Sequence, residues 1–112
     1  DQMLTDLPVV TPWQHPDGYS GLHLYVVRLK LDQISKSHLD VFNALRAKGI
    51  LVNLHYIPVH TQPYYQAMGF KEGDFPEAEC YYREAISLPM YPMLTDAQQD
   101  EVVAALKEAL GI

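Results

Sequence analysis

Between Leu22 and Leu31 apolar and polar residues alternate: Tyr25, Val27, Leu29 and Leu31 share one side, Arg28 and Lys30 the other. Period two over such a length predicts a half-buried strand. The preceding PVVTPW (Pro8–Trp13) is β-branched and aromatic but interrupted by Pro12, which marks a short edge strand. HPDGYSG (His15–Gly21) supplies turn residues between the two, so a hairpin is expected. Alternation returns at Ile50–Ile57, with Ile50, Val52, Leu54 and Tyr56 on one face and Asn53 and His55 on the other, until Pro58 ends the ladder. ISLPMYP (Ile86–Pro92) offers one more short strand before its prolines.

The remaining segments carry helical spacing. Ser37 and Asp40 form a capping-box pattern before Leu39, Phe42 and Leu45, and Gly49 closes that helix. Thr61–Gly69 predicts a short helix capped by Thr61. Asp74–Ala85 predicts another, with Asp74 as N-cap and Pro76 in the first turn. In the last segment Thr95 and Gln98 form a second capping box. Val102 or Val103, Leu106 and Leu110 make the buried stripe, and Gly111 closes the helix. The order β-β-α-β-α-α-β-α predicts an α+β fold, a two-layer sandwich in which a small, mostly antiparallel sheet packs with helices.

With 112 residues, 48% hydrophobic and 20% charged, the chain reads as a single globular domain over residues 1–112. The net charge of −6 argues against nucleic acid and against a polybasic membrane contact. No apolar run approaches the roughly 20 residues of a membrane span, and the first ten residues lack the pattern of a signal peptide. One cysteine, Cys80, precludes an internal disulfide and suits a reducing, cytoplasmic setting. Within a predicted helix, Cys80 is expected as a small core residue.

Several chemistries have no motif here. The six glycines form neither phosphate-cradling pattern, and there is no nucleophile elbow. His55 and His60 stand five apart, and His38 lies on a helix, which matches no helical zinc motif; no metal is expected. What stands out is LHYIPVHTQPYYQ, residues 54–66, which places two histidines and three tyrosines at and beyond a predicted strand end. Loops after strand ends are where a scaffold presents polar groups to ligands. The same residues also suit packing aromatics with hydrogen-bonded hydroxyls and ordinary surface histidines.

The stretch LRAKGILVNLHYIPVHTQPYYQAMGF, followed by FPEAECYYREAISLPMYPMLTDAQQDEVVAAL, resembles the C-terminal small domain of the DegT-type sugar aminotransferases. Within that family the pattern is nearest to the transaminase of the pseudaminic-acid pathway and to spore coat polysaccharide biosynthesis proteins. The resemblance implies the small domain of a fold-type I, pyridoxal-phosphate-dependent enzyme that aminates a nucleotide-linked 4-keto-6-deoxy sugar. It implies a homodimer in the full-length enzyme and an N-terminal domain carrying the Schiff-base lysine. None of Lys30, Lys36, Lys48, Lys71 and Lys107 has the surroundings of that lysine. By resemblance, then, the chain alone holds no catalytic residue and no cofactor. It lends sugar-nucleotide contacts from Asn53, Leu54, His55, Tyr56 and His60, and from Tyr64. The alternative is a stand-alone, non-catalytic binding or regulatory module that keeps the fold.

Overall fold

The computed structural model describes residues 1–112. Its sheet has three strands, β1 (Val9–Val10), β2 (Tyr25–Leu29) and β3 (Ala85–Leu88), in the order β1-β2-β3. Both pairings are antiparallel, with Val9 opposite Leu29 and Val27 opposite Ile86. The four helices are α1 (His38–Ala47), α2 (Pro63–Ala67), α3 (Pro76–Glu84) and α4 (Asp96–Leu110). Single 3-10 turns occupy Gln2–Leu4, Leu31–Gln33 and Val59–Thr61. The architecture is α+β, helices packed on a small antiparallel sheet. No helix is long and apolar enough to cross a membrane.

The hairpin of the first two strands forms as its pattern predicts, and β1 stays at the sheet edge, where Pro12 costs no ladder bond. In β2 the alternating residues Val27 and Leu29 are fully buried. They meet Val41 and Leu45 of α1, Ile86 of β3 and Leu106 of α4 in one core. Each such side chain contributes about 1.5–3 kcal/mol relative to exposure. Both capping boxes form. Ser37 accepts from the Asp40 amide and Thr95 from the Gln98 amide, while Asp40 and Gln98 reach back to the cap amides. Gly111 terminates α4 in the left-handed region at φ 81°, where a side chain would be strained.

The structure departs from the expected elements and core in five places. Ile50–Ile57 is not a strand: one two-way bridge, Asn53 with Ser87 on the outer edge of the four-residue β3, is all that forms. Val52 is buried there while Leu51 and Tyr56 are exposed. Thr61 does not cap α2. Its hydroxyl donates to the Pro58 carbonyl, closing the preceding 3-10 turn, and α2 starts at Pro63. Asp74 does not cap α3; Phe75 holds the cap position, and the Asp74 carboxylate accepts from the amide and ammonium of Lys71. On α1 the buried face runs through Val41 and Leu45, leaving Leu39 exposed. Cys80, expected in the core, is half-buried, its thiol 3.4 Å from Glu84 Oε1.

Candidate functional site

The expected site residues fall into two groups. Asn53, Leu54, His55 and Tyr56 form a rim tied to the edge of β3. The Ser87 amide donates to the Asn53 carbonyl at 2.9 Å, and the Asn53 amide returns a bond to Ser87 at 3.3 Å. His55 Nδ1 pairs with Ser87 Oγ at 2.7 Å. Just upstream, the Arg46 guanidinium donates to the Val52 carbonyl at 3.1 Å, so the rim is held from α1 as well. The rim is thus anchored through its backbone and one imidazole, while the Tyr56 side chain stands in solvent at 73% exposure.

Alternation would turn His55 and Tyr56 to opposite faces. Without a continuing ladder they do not alternate: their rings meet edge to face with centroids 4.7 Å apart. An imidazole and a phenol therefore sit side by side, beyond the last bridge. Each can donate or accept a hydrogen bond without a permanent charge.

His60 and Tyr64 lie elsewhere. No hydrogen bond or ring contact joins either to His55 or Tyr56. Tyr64, on α2, is exposed and packs edge to face on Tyr65. His60, expected in an open loop, is 8% exposed. Its Nε2 is 2.7 Å from Glu79 Oε1, and its ring lies against Phe75 at 4.9 Å. Glu79 is the residue that the sequence pattern missed, since a glutamate on a helix reads as solvated. Here it is buried, accepts also from the Gly73 amide at 2.7 Å, and is held below the usual carboxylate range by the His60 hydrogen bond and then by that of Gly73. The spacing of His60 and Glu79 carries no local signal for such a pair.

Arginines take structural posts. Arg28 pairs with Glu84 at 2.6 Å and lies over the Tyr81 ring; Arg46 lies over Phe42. The lysines do not suit the anchoring of an aldehyde cofactor. Lys36, Lys48, Lys71 and Lys107 are exposed and Lys30 is half-buried. Lys48 is bound to Glu108 and Lys71 to Asp74. None is enclosed in a cavity where its ammonium would be desolvated toward a nucleophilic amine, so this chain's residues do not fit such a group on their own. No group of three or more histidine, cysteine or carboxylate side chains is placed to hold a metal.

Between residues 51 and 68 many large apolar side chains are uncovered. Leu51, Tyr56, Ile57, Val59, Tyr64 and Met68 are all at least half exposed. Large apolar side chains left exposed in such number mark surface made to be covered.

Three known proteins share this fold. The spore coat polysaccharide biosynthesis protein SpsC of Bacillus subtilis is 38% identical over 102 residues, 89% of this chain and 26% of that protein. The structure of DesV from S. venezuelae, solved in complex with a ketimine intermediate, superposes with a TM-score of 0.83 at 33% identity, covering 96% of this chain and 28% of that one. PseC of Helicobacter pylori, an aminotransferase involved in the biosynthesis of pseudoaminic acid, superposes with a TM-score of 0.84 over 99% of this chain and 30% of that one; at 24% identity it speaks for the fold alone. The chain thus spans about a quarter of the length of the curated relatives it matches. Residues 1–107 match the DegT/DnrJ/EryC1/StrS aminotransferases as a family, and the chain belongs to that family.

Proposed function

We propose that this chain is the C-terminal domain of a pyridoxal-phosphate-dependent enzyme that aminates a nucleotide-linked 4-keto-6-deoxy sugar for surface polysaccharide or glycan biosynthesis. Residues 1–112 form one domain in this reading. The observation that carries it is the pairing of an anchored polar rim with an uncovered apolar face. His55 is fixed on Ser87, Tyr56 is free beside it, and Leu51, Ile57, Val59 and Met68, from the same stretch of chain, lie open. A rim of this kind suits a cleft whose other wall comes from a larger partner domain, and the relatives are about three and a half times as long.

In the longer protein the N-terminal domain supplies the lysine and holds the cofactor, which furnishes the electron sink of transamination when bound. The residues of this chain do not perform that step. Asn53 and Leu54 set the backbone of the rim, and His55 and Tyr56 offer hydrogen bonds to sugar hydroxyls or phosphate oxygens. Tyr64 and the apolar face serve assembly, including a homodimer. The protein works in the cytoplasm, where nucleotide sugars are made.

The test is steady-state kinetics of His55→Ala and Tyr56→Phe in the longer protein. Each lost hydrogen bond costs about 0.5–1.5 kcal/mol, so KM for the nucleotide sugar should rise about 2- to 12-fold with kcat nearly kept. An unchanged KM in both variants, with only a lower melting temperature, returns the rim to a packing role.

A further inference from the structure

A carboxylate can only accept a hydrogen bond. Because Glu79 Oε1 lies 2.7 Å from His60 Nε2, that nitrogen must carry hydrogen, whether the ring is neutral or charged. The same oxygen accepts from the Gly73 amide, and the Glu79 side chain is 9% exposed. It is therefore gripped from two chain segments and has little freedom to leave the imidazole.

The other ring nitrogen, Nδ1, has no hydrogen-bond partner. Yet no buried side-chain nitrogen or oxygen in the structure lacks one. Nδ1 is therefore not fully enclosed, although His60 as a whole is buried. The open space that His60 borders is a concavity of about 430 Å³, whose other walls are Val59, Tyr65, Phe70, Phe75 and Ala78. The Phe70 and Phe75 rings stand 6.3 Å apart and are tilted by only 36°. His60 meets Phe75 at its edge.

We propose that Glu79 is a positioning residue: it commits His60 to the Nε2–H form and presents Nδ1 to this aromatic concavity, which takes the heterocyclic base of a nucleotide through a hydrogen bond from a ring N–H. The inference rests on the nucleotide-sugar reading above and goes beyond it by separating a base site from the sugar-facing rim. Chemistry selects a base over a sugar here. Apolar walls leave sugar hydroxyls without partners, and each one left unpaired is penalised. A planar ring instead buries its faces on aromatic side chains, a favourable stacking contact, and asks for few in-plane partners. The lone pair of a neutral imidazole Nδ1 suits the ring N–H that uracil and thymine carry.

The experiment is nitrogen NMR of the histidine rings in the 15N-labelled 112-residue chain, followed through a pH titration and then with added uridine. His60 is expected with a protonated Nε2 and an acceptor-type Nδ1 once its ring is neutral, and saturating uridine is expected to move Nδ1. In Glu79→Gln the amide can donate or accept, so the two neutral tautomers should mix, and uridine affinity should fall about 2- to 12-fold. If that variant does not fold, Phe75→Leu is read instead, with weaker uridine binding and an unchanged tautomer expected. A wild-type His60 protonated on Nδ1, the same tautomer in Glu79→Gln, or a Nδ1 signal that moves with inorganic phosphate but not with uridine would overturn the proposal. So would indifference to uridine, the outcome if an apolar side chain of a longer protein fills the concavity. A uridine shift at His60 with a nucleotide sugar leaving His55 and Tyr56 unmoved sinks the earlier reading of the rim alone; the reverse pattern sinks only this one.

Discussion

Ser87 holds His55 at 2.7 Å from a position 32 residues further along the chain. Its own backbone bonds in both directions to Asn53. One buried serine on β3 thereby fixes both the path of the rim and the orientation of its imidazole. Removing the hydroxyl leaves the backbone bridge intact and frees only the ring. Ser87→Ala should therefore cost about 0.5–1.5 kcal/mol of stability. In the longer protein it should reproduce part of the KM effect of His55→Ala. Chemical denaturation and steady-state kinetics check the two halves separately, and a stability loss without any KM change would detach His55 from substrate.

Acid should unfold the domain through a small set of carboxylates. The His60 hydrogen bond holds Glu79 below its ordinary range, the Ser37 hydroxyl does so for Asp40, and the Lys71 ammonium for Asp74. Since each folded value lies below the unfolded one, their stabilisation is fully present above the unfolded values. It is lost as pH falls through the folded ones. The melting temperature should be level from neutrality to about pH 5 and decline below about pH 4. Glu79→Gln should flatten that decline, as measured by circular dichroism; an equally steep acid limb in the variant would remove Glu79 from the account.

Leu106 is fully buried and belongs to the core shared by α1, α4 and the sheet. Truncation to alanine leaves a cavity between elements that cannot close independently. Leu106→Ala should cost about 2–5 kcal/mol in urea unfolding. Leu39→Ala, at a position expected in the core but 64% exposed, should stay within about 0.5 kcal/mol.

Thr95 closes the N-terminus of the longest helix through a capping box. Thr95→Ala should cost about 1 kcal/mol, and Thr95→Asp much less, because aspartate also accepts from the helix amides. Thermal melts of the two variants decide it; equal losses would mean that packing, not the cap, holds this end.

How far the sequence could be read follows from the range of the interactions. Both capping boxes were legible because Ser37 with Asp40, and Thr95 with Gln98, act within one turn. The strand expected at Ile50–Ile57 was not, because alternation reports only that one face is suited to burial. Whether a ladder forms depends on a free partner edge, and β3 offers a single bridge. Glu79 and His60 were opaque for the same reason. A helix glutamate looks solvated until tertiary packing brings an imidazole and the Gly73 amide to it. The family resemblance reached the rim residues, whose neighbours form a recognisable string. Nothing in that string announced that His60 would be drawn beneath the surface.

The sheet register also sets an order of events during synthesis. Val27 pairs with Ile86, so β2 emerges from the ribosome long before its partner exists. Until β3 arrives, the β1–β2 hairpin exposes both an open hydrogen-bonding edge and the apolar side that later packs on α1 and α4. Closing so long a loop is slow compared with forming α1, the capped helix inside it. Slowing translation between the codons for Leu29 and Ala85 is therefore expected to lengthen the window in which two unfinished chains can pair edge to edge.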